Sequence, residues 1–563
     1  MPFKIIHSNP TNLVFPLLLL GLLAVGCGSG SSGGGTAAAQ SVTTGSGGTT
    51  SSAPASMSVG DISIPDFSGS SATISFSGVP SGSTYELLIQ SQATDTSSRT
   101  YVLGDLNLVE KSLGVSNALS DEVLSDGSAT VQAKLDGLMR NEENLLADFA
   151  VEGAAKSVSK SAGVSVSKAS GDPPPPSVAL SVNDTDTFRV LSSLSDVTQY
   201  TEVTATVKCV NDTVAIYVDA EIDSTNPADF TQANANTLCA SFKTSLTTVT
   251  GVFGGFADIN SDGVAVALIT PAVNRLGASN GGIVTGFYYA GDSFTRSSSI
   301  PASNYREIVY LVSPDSAGVY GSKISNSFAM SNFLPAVFPH EMQHLISYYQ
   351  HVTARGGAAE EYWLNESISH FVEDLVGYGR ENYSRYDLFL ASPQSYSLVS
   401  TASTGLAQRG AGYLFIRYLY EQSGNSATFL NNLVNTTRVG TANVVAAYPS
   451  PPSDFNEFGE FLKRWSVALA YTNRSLTSSA KFQYNARTIN SSTNNYEGVC
   501  MICTASDGRG TILSGPSFGT YSASNYSLRG TATRFLRLSS SPSSVTITPA
   551  SGSSPAAVIL RTQ

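Results

Sequence analysis

The segment FPHEMQHLISYY, residues 338–349, restricts the fold of this chain more than any other stretch. It places His340 and His344 four positions apart, with Glu341 directly after the first histidine. Two residues at this spacing lie on one face of a helix, so both imidazoles can reach a single metal ion. Apolar residues on both sides predict that the helix lies inside a hydrophobic core. Because the chain has only five histidines, we interpret this pair as metal ligands rather than as two packed residues.

The pattern H-E-x-x-H is typical of helices that bind zinc. Two neutral imidazoles hold the ion, and the glutamate between them removes a proton from the attacking water. We therefore predict that His340 and His344 bind Zn²⁺ and that Glu341 is the catalytic general base.

A catalytic zinc needs a third protein ligand. One known pattern has a histidine six positions after the second histidine, but this chain has Gln350 there. The downstream segment WLNES offers Glu366, and the intervening residues are long enough for a loop and a returning helix. We predict Glu366 as the third ligand. The residues alone leave His351 and His370 as alternatives.

Two further groups are needed around such a site. A zinc-bound histidine normally donates its second ring N–H to a carboxylate or carbonyl. On the predicted helix of Glu366, His370 and Glu373 lie near the same face and are the candidates for this orienting role. A donor for the tetrahedral oxyanion is also expected, and tyrosine is the favoured type, but no tyrosine is assigned.

The motifs HEMQHLI and EYWLNESISHFVEDLVGYG resemble the hyicolysin family of bacterial zinc metallopeptidases, a gluzincin group. The segments RGAGYLFIRYLYEQSG, GVAVALITPAV and TEVTATVKCVNDTVAIYVDAEI also resemble that family. The resemblance implies zinc binding by His340, His344 and Glu366, with Glu341 as base. It implies a zincin-like fold with a mainly helical second lobe. Thermolysin-like enzymes place an aspartate four positions after the ligand glutamate, where this chain has His370.

The predicted fold class is α+β, with β-rich domains flanking the metallopeptidase domain on both sides. The polyproline segment SGDPPPPS is typical of a stiff linker between domains. The predicted regions are an N-terminal β-rich and helical region at 58–169, the linker at 170–177, the metallopeptidase domain at 178–474 and a C-terminal β-domain at 475–563. Within the metallopeptidase domain, strands are predicted first and helices second.

The N-terminus indicates export. Residues 1–26 have the short apolar core of a signal peptide, and the following Cys27 stands where bacterial lipoproteins are acylated. Residues 27–57 are rich in Gly and Ser and predict a flexible tether. We predict a cell-envelope lipoprotein at the outer membrane or cell surface. The alternative is a secreted protein with an ordinary cleaved signal and a free Cys27.

Four further cysteines remain, and an even number in an exported chain favours disulfides. We predict the pairs Cys209–Cys239 and Cys500–Cys503. The latter pair also fits a redox motif or half of a zinc knuckle, but no second cysteine pair completes a knuckle.

The segment DINSDG begins like a calcium-binding loop, with Asp258, Asn260 and Asp262 at the ligand positions. An EF-hand would supply a bidentate glutamate at position twelve, but this chain has Ile269 there. The two interpretations are a polar turn before a strand and a calcium site of another kind.

The net charge of −12 and the lack of long basic runs argue against nucleic acid as a partner. The expected partners are a protein or peptide substrate and, through Cys27, a membrane. The predicted function is an extracytoplasmic zinc metallopeptidase. One alternative is a surface adhesin or binding module built on a peptidase-like fold, and another is a zinc hydrolase that acts on something other than peptides.

Overall fold

The computed structural model describes residues 54–67, 71–104, 127–159, 179–400, 405–538 and 544–563. Because about 38% of the chain is helical and 22% is strand, the predicted α+β class is confirmed. The predicted signal peptide, Cys27, residues 27–53 of the tether and the polyproline linker lie outside the described residues. Within the described ranges, no helix is both long and apolar enough to cross a bilayer.

The strands vary from two to eleven residues in length. In chain order they are β1 Ile62–Ser63, β2 Ala72–Ser75, β3 Tyr85–Ser91, β4 Ser98–Gly104, β5 Thr185–Leu191, β6 Tyr200–Val210, β7 Val214–Asp219, β8 Ala265–Thr270, β9 Gly286–Tyr288, β10 Ile308–Val312, β11 Thr488–Ile489, β12 Tyr496–Glu497, β13 Ile502–Thr504, β14 Ile512–Ser514, β15 Phe518–Thr520, β16 Asn525–Arg529, β17 Thr533–Leu538, β18 Ser544–Pro549 and β19 Pro555–Arg561.

In chain order the helices are α1 Gly127–Ser159, α2 Ala220–Thr225, α3 Gln232–Phe253, α4 Pro271–Ala278, α5 Asn326–Phe328, α6 Leu334–Tyr348, α7 Tyr362–Leu375, α8 Asn382–Ala391, α9 Leu406–Gln422, α10 Ala427–Val434, α11 Gly440–Ala447 and α12 Phe458–Tyr471. Helices α5–α12 follow strands β5–β10, whereas α1–α4 lie before or between those strands. Short π-helical turns precede and follow α6, at Ala329–Phe333 and Tyr349–Thr353.

A six-stranded sheet in the order β5-β6-β7-β8-β10-β9 forms the centre of the first lobe. Strands β7, β8 and β10 are parallel, and every residue in them is buried. Continuous apolar runs of this kind indicate a sheet that is covered on both faces. Strand β9 is at the edge and pairs antiparallel with β10.

Helix α6 packs against this sheet and against α3. The ring of Phe338 stacks on that of Phe242 with centroids 4.0 Å apart, and Met342 is fully buried in the same core. The apolar neighbours of the histidine pair therefore fix α6 inside the core, as its sequence predicted.

Helix α7 is held close to α9 by small residues. A Cβ on Gly412 would lie only 2.1 Å from the Ser367 hydroxyl oxygen, so the two helices can approach each other only with glycine at this position. The second glycine in the segment RGAG thus allows close packing of α7 on α9. This packing sets the position of the residues on α7.

The strands predicted for two flanking β-rich domains belong to shared sheets instead. Strand β3 pairs with both β17 and β19, and β4 pairs with both β16 and β18. Residues from both ends of the chain fill the core between the sheets, including Leu87, Leu103, Leu536, Val545 and Ile559. The prediction of separate domains at 58–169 and 475–563 is therefore wrong. Local alternation predicts a strand but does not specify its partner.

Helix α1 also contradicts the prediction of a separate N-terminal domain at 58–169. Its apolar face, with Val131, Leu135, Met139 and Leu146, joins the core of the six-stranded sheet. The neighbouring Leu145 is 58% exposed and does not belong to this face. The helix is therefore part of the first lobe.

The two predicted disulfides are present. Cys209 of β6 is bonded to Cys239 of α3, and Cys500 is bonded to Cys503. The first bond ties the sheet to the helix that supports α6.

Candidate metal centre

Two adjacent helices carry the predicted zinc residues. Helix α6 presents His340, Glu341 and His344, and α7 presents Glu366 and His370 one turn apart. None of these residues is more than 7% exposed. Burying so many ionisable groups is costly unless they are paired or bind a metal ion.

The carboxylate of Glu366 lies between the three imidazoles. Its Oε2 atom is 3.8 Å from Nε2 of His340 and 3.9 Å from Nε2 of His370. Its Oε1 atom is 3.6 Å from Nε2 of His344. Three ring nitrogens therefore point toward one carboxylate without reaching hydrogen-bond distance.

These separations are compatible with a cation between the groups. Ligands of a tetrahedral zinc at about 2.0–2.1 Å are roughly 3.3 Å apart, only slightly closer than the distances here. Donor atoms of His340, Glu366 and His370 lie within 4.8 Å of one another. Both oxygens of Glu366 and Nε2 of His370 are buried without a hydrogen-bond partner among the described residues. The residues therefore fit a bound metal ion.

The structure brings together more candidate ligands than the three that the sequence predicted. The predicted ligands are His340, His344 and Glu366. The three residues whose donor atoms lie within 4.8 Å of one another are His340, Glu366 and His370, so His370 stands in this group where His344 was predicted. His344 faces the other oxygen of the same carboxylate. The predicted set with His344 stays a prediction, and His370 is a candidate ligand in addition to a candidate orienting group.

Glu373 orients two of the imidazoles. Its Oε1 atom accepts hydrogen bonds from Nδ1 of His340 at 2.9 Å and from Nδ1 of His370 at 2.8 Å. Its Oε2 atom accepts from Arg385 at 2.7 Å. With the protons on Nδ1, the Nε2 atoms are left as lone-pair donors, which is the arrangement of a metal-bound histidine.

His344 has its own orienting partner. Its Nδ1 atom is 3.0 Å from the amide oxygen of Asn365, the residue before the predicted ligand Glu366. The N-E pair thus supplies both a carboxylate and the group that turns a histidine toward it. The sequence pattern N-E gave no indication of this second role.

Burial is the largest influence on the ionisation of these groups. It raises the pKa of Glu341 to about 8 and holds the pKa of His344 and of His370 well below the usual value. Burial also acts to lower the pKa of His340, but the hydrogen bond to Glu373 and nearby carboxylates outweigh it and raise the pKa. A cation in the site would favour the ionised form of Glu341.

Helix α1 contributes polar residues to the site that sequence reasoning missed. Arg140 pairs with Glu143 at 2.9 Å and lies 4.0 Å from Oε1 of Glu366. Glu143 accepts a hydrogen bond from the amide of Asn365 at 3.3 Å. Asp136 pairs with Arg409 of α9. The signal that could have found them is the polar residues interrupting the apolar face of α1.

A cavity of about 220 Å³ opens beside the histidines. Its lining includes His340, Glu341 and His370, together with Arg409. Thr285, the residue before edge strand β9, and Gln132 of α1 also line this cavity. There the side chain of Gln132 accepts a hydrogen bond from the Thr285 N–H at 2.8 Å and donates one to the Gly286 carbonyl at 3.1 Å. Helix α1 therefore occupies two main-chain groups at the start of β9.

The remaining predicted candidates lie elsewhere. The alternative third ligand His351 faces Glu360, with its Nε2 atom 3.9 Å from Oε2 of that residue. Asp258, Asn260 and Asp262 form a separate turn before β8. The lipidation candidate Cys27 lies outside the described residues.

Compared with known proteins, the chain matches no protein-family model and no curated protein. The site itself therefore defines the class of the protein. This site is a buried group of histidines and one glutamate on two helices, able to hold a metal ion.

Proposed function

We propose that this protein is an extracytoplasmic zinc metallopeptidase with a zincin-like fold, related to the hyicolysin family. The observation that carries the proposal is the group of ring nitrogens around the carboxylate of Glu366, next to Glu341 in a cavity. Both oxygens of Glu366 lack a hydrogen-bond partner among the described residues, and its ion pairs with Arg140 and Arg409 are long, at 4.0 and 3.7 Å. The H-E-x-x-H motif supplies His340, Glu341 and His344, and the downstream N-E pair supplies Glu366. Nitrogen ligands with a single carboxylate favour zinc over calcium or magnesium.

Zinc is held by His340, Glu366 and one or both of His344 and His370. A bound zinc supplies Lewis-acid chemistry, because it polarises a carbonyl and lowers the pKa of water. Glu341 lines the cavity beside His340 and takes the proton of the attacking water on its carboxylate. The same carboxyl then gives the proton to the leaving amine.

The substrate that fits this chemistry is an extended peptide. Thr285 lines the cavity, and its N–H and the Gly286 carbonyl are bonded to the side chain of Gln132. An extended peptide can form main-chain hydrogen bonds with these two groups when the Gln132 side chain moves away. Glu373 and Asn365 hold the imidazoles during the reaction and are positioning residues.

The test is zinc content and cleavage of an unstructured protein such as casein by the full chain, compared with Glu341→Gln. We expect about one zinc per chain in both and a loss of cleavage of at least about a hundredfold in the variant. The matched control is Glu381→Gln, because Glu381 lines the same cavity but pairs with Arg509 at 3.1 Å. Absence of zinc, or equal cleavage by Glu341→Gln, would contradict the proposal. Zinc without cleavage would favour a binding module.

The choice between His344 and His370 as ligand has its own test. We expect His340→Gln and Glu366→Gln to abolish zinc binding at micromolar zinc. If His344 completes the set, His344→Gln weakens zinc binding far more than His370→Gln does. The reverse order would assign the position to His370.

The chain is further proposed to be a lipoprotein of the cell envelope, anchored through Cys27. Mass spectrometry of the mature N-terminus tests this part. A mature chain that starts at an acylated Cys27 supports it, and an unmodified N-terminus at another residue contradicts it.

A further inference from the structure

Three carboxylates from two neighbouring strands converge on one point outside the histidine site. Asp258 and Asp262 belong to the turn before β8, and Glu307 is the residue directly before β10. Oxygens of the three side chains lie within 4.8 Å of one another. The parallel pairing of β8 with β10 causes this, because Val266 pairs with Ile308 and donates its N–H to the Glu307 carbonyl at 2.8 Å.

Glu307 is the unusual member of the group. It is 2% exposed, and its Oε2 atom accepts a hydrogen bond from the Ile259 N–H at 3.0 Å. Its Oε1 atom is buried and has no hydrogen-bond partner among the described residues. A buried, unpartnered carboxylate oxygen is costly, and two further carboxylates beside it add repulsion.

No lysine or arginine of the described residues forms an ion pair with Asp258, Asp262 or Glu307. Within the described ranges, these three carboxylates therefore form a negative cluster that no basic side chain neutralises by an ion pair, and main-chain hydrogen bonds hold the turn in place. A bound metal ion would supply the missing positive charge.

The turn has the backbone of a cation-binding loop. Oδ1 of Asp258 accepts hydrogen bonds from the N–H groups of Asp262 at 3.0 Å and Gly263 at 3.2 Å. Oδ1 of Asp262 accepts from the Val264 N–H at 2.8 Å. These bonds fold the loop so that the carboxylates of Asp258 and Asp262 lie close to that of Glu307. The amide of Asn260 lies among them, 2.7 Å from Oδ2 of Asp262.

We infer that Asp258, Asn260, Asp262 and Glu307 form a calcium site. Hard oxygen ligands and a mixture of carboxylates with an amide are what Ca²⁺ prefers. An EF-hand takes its final bidentate glutamate from the same loop, but that position is Ile269 inside β8. Here the neighbouring strand supplies the glutamate. The ion ties the start of β8 to the start of β10 and stabilises the sheet on which α6 packs.

Calcium binding is measured by calorimetric titration of CaCl₂ into the chelator-treated full chain after one equivalent of zinc has been restored. We expect one calcium per chain, an affinity at least about tenfold weaker in Glu307→Gln, and little competition from magnesium. Calcium should also raise the Tm of the wild type but not of Glu307→Gln. The matched control is Asp196→Asn, because Asp196 also accepts a turn N–H, from Thr198 at 2.9 Å, but belongs to no such cluster.

Equal calcium affinity in the wild type and in Glu307→Gln, or no calcium binding by the wild type, overturns the inference. Should Glu307→Gln fail to fold, Asp262→Asn replaces it, since this side chain is only half-buried in the turn. Retained zinc content in the variant separates loss of the calcium site from loss of the histidine site. The inference does not depend on peptidase activity.

Discussion

Glu373 is the residue whose change tests the arrangement of the metal centre most directly. One carboxylate oxygen receives the Nδ1–H groups of His340 and His370 at 2.9 and 2.8 Å. Glu373→Gln keeps the size and one accepting oxygen but removes the negative charge. The imidazoles then become weaker electron donors, and the amide N–H₂ group competes for the same position. We expect zinc to bind less tightly although no ligand has been changed.

The expected loss of zinc affinity follows from the role of a carboxylate that orients a metal-bound histidine. Loss of a group that orients a metal-bound histidine typically costs 10–100-fold in metal affinity, or about 1.4–2.7 kcal/mol. Because Glu373 holds two imidazoles, and both are buried, we expect a value near the upper end of this range if His370 is a ligand. If only His340 of the pair binds zinc, the loss should fall near the lower end.

The assay is competition for zinc with a chelator of known affinity, read for the wild type and for Glu373→Gln. Arg385→Gln is the first control, because it removes the ion pair at 2.7 Å while the carboxylate and both histidine contacts remain. It should change zinc affinity less than Glu373→Gln does. Circular dichroism confirms that each variant is folded. A folded Glu373→Gln protein with wild-type zinc affinity would refute the reasoning.

Three further predictions follow from the same structure. Gln132→Ala frees the Thr285 N–H and the Gly286 carbonyl, so under the proposed peptidase function KM for an extended peptide should fall about two- to tenfold, the equivalent of one or two hydrogen bonds, and an unchanged or higher KM in peptide-cleavage kinetics would contradict this. Burial lowers the pKa of His351 to about 4, so between pH 6.5 and 4 the unfolded chain binds a proton there that the folded chain does not, and as the pH falls this residue removes up to about 3 kcal/mol of stability. Because His344 and His370 also have lowered pKa values, urea unfolding of the metal-free chain should show a loss in both proteins, but a smaller one, by up to this amount, in His351→Gln than in the wild type; equal losses would contradict this. Replacing Cys209 and Cys239 by serine opens a loop with a sequence separation of 30 and should cost about 3–4 kcal/mol in urea unfolding, whereas an unchanged midpoint would show that the disulfide does not limit the unfolded chain.

Short-range patterns in the sequence were sufficient for much of the candidate site. The spacing of His340 and His344 fixes their common helix face, and apolar neighbours fix the burial of that helix, because both properties depend only on residues within one or two turns. The N-E pair identified Glu366 on a second helix, and Glu373 was a candidate from its helical distance to Glu366. The two disulfide pairs were also predicted correctly.

The tertiary structure decided what depends on distant pairing. Strands β3 and β4 pair with strands more than 400 positions away, and nothing in an alternating pattern states which strand is the neighbour. For the same reason no local pattern indicates that Arg140 lies beside Glu366, or that Glu307 lies beside the turn at Asp258.

The period of a helix and the spacing of ligands along it are therefore local properties, and the amino-acid sequence alone determines them. The convergence of three histidines on one carboxylate, and of three carboxylates on one point, is a property of packed surfaces. It arises only when apolar burial brings α6, α7 and α1 together and when hydrogen bonding aligns β8 with β10.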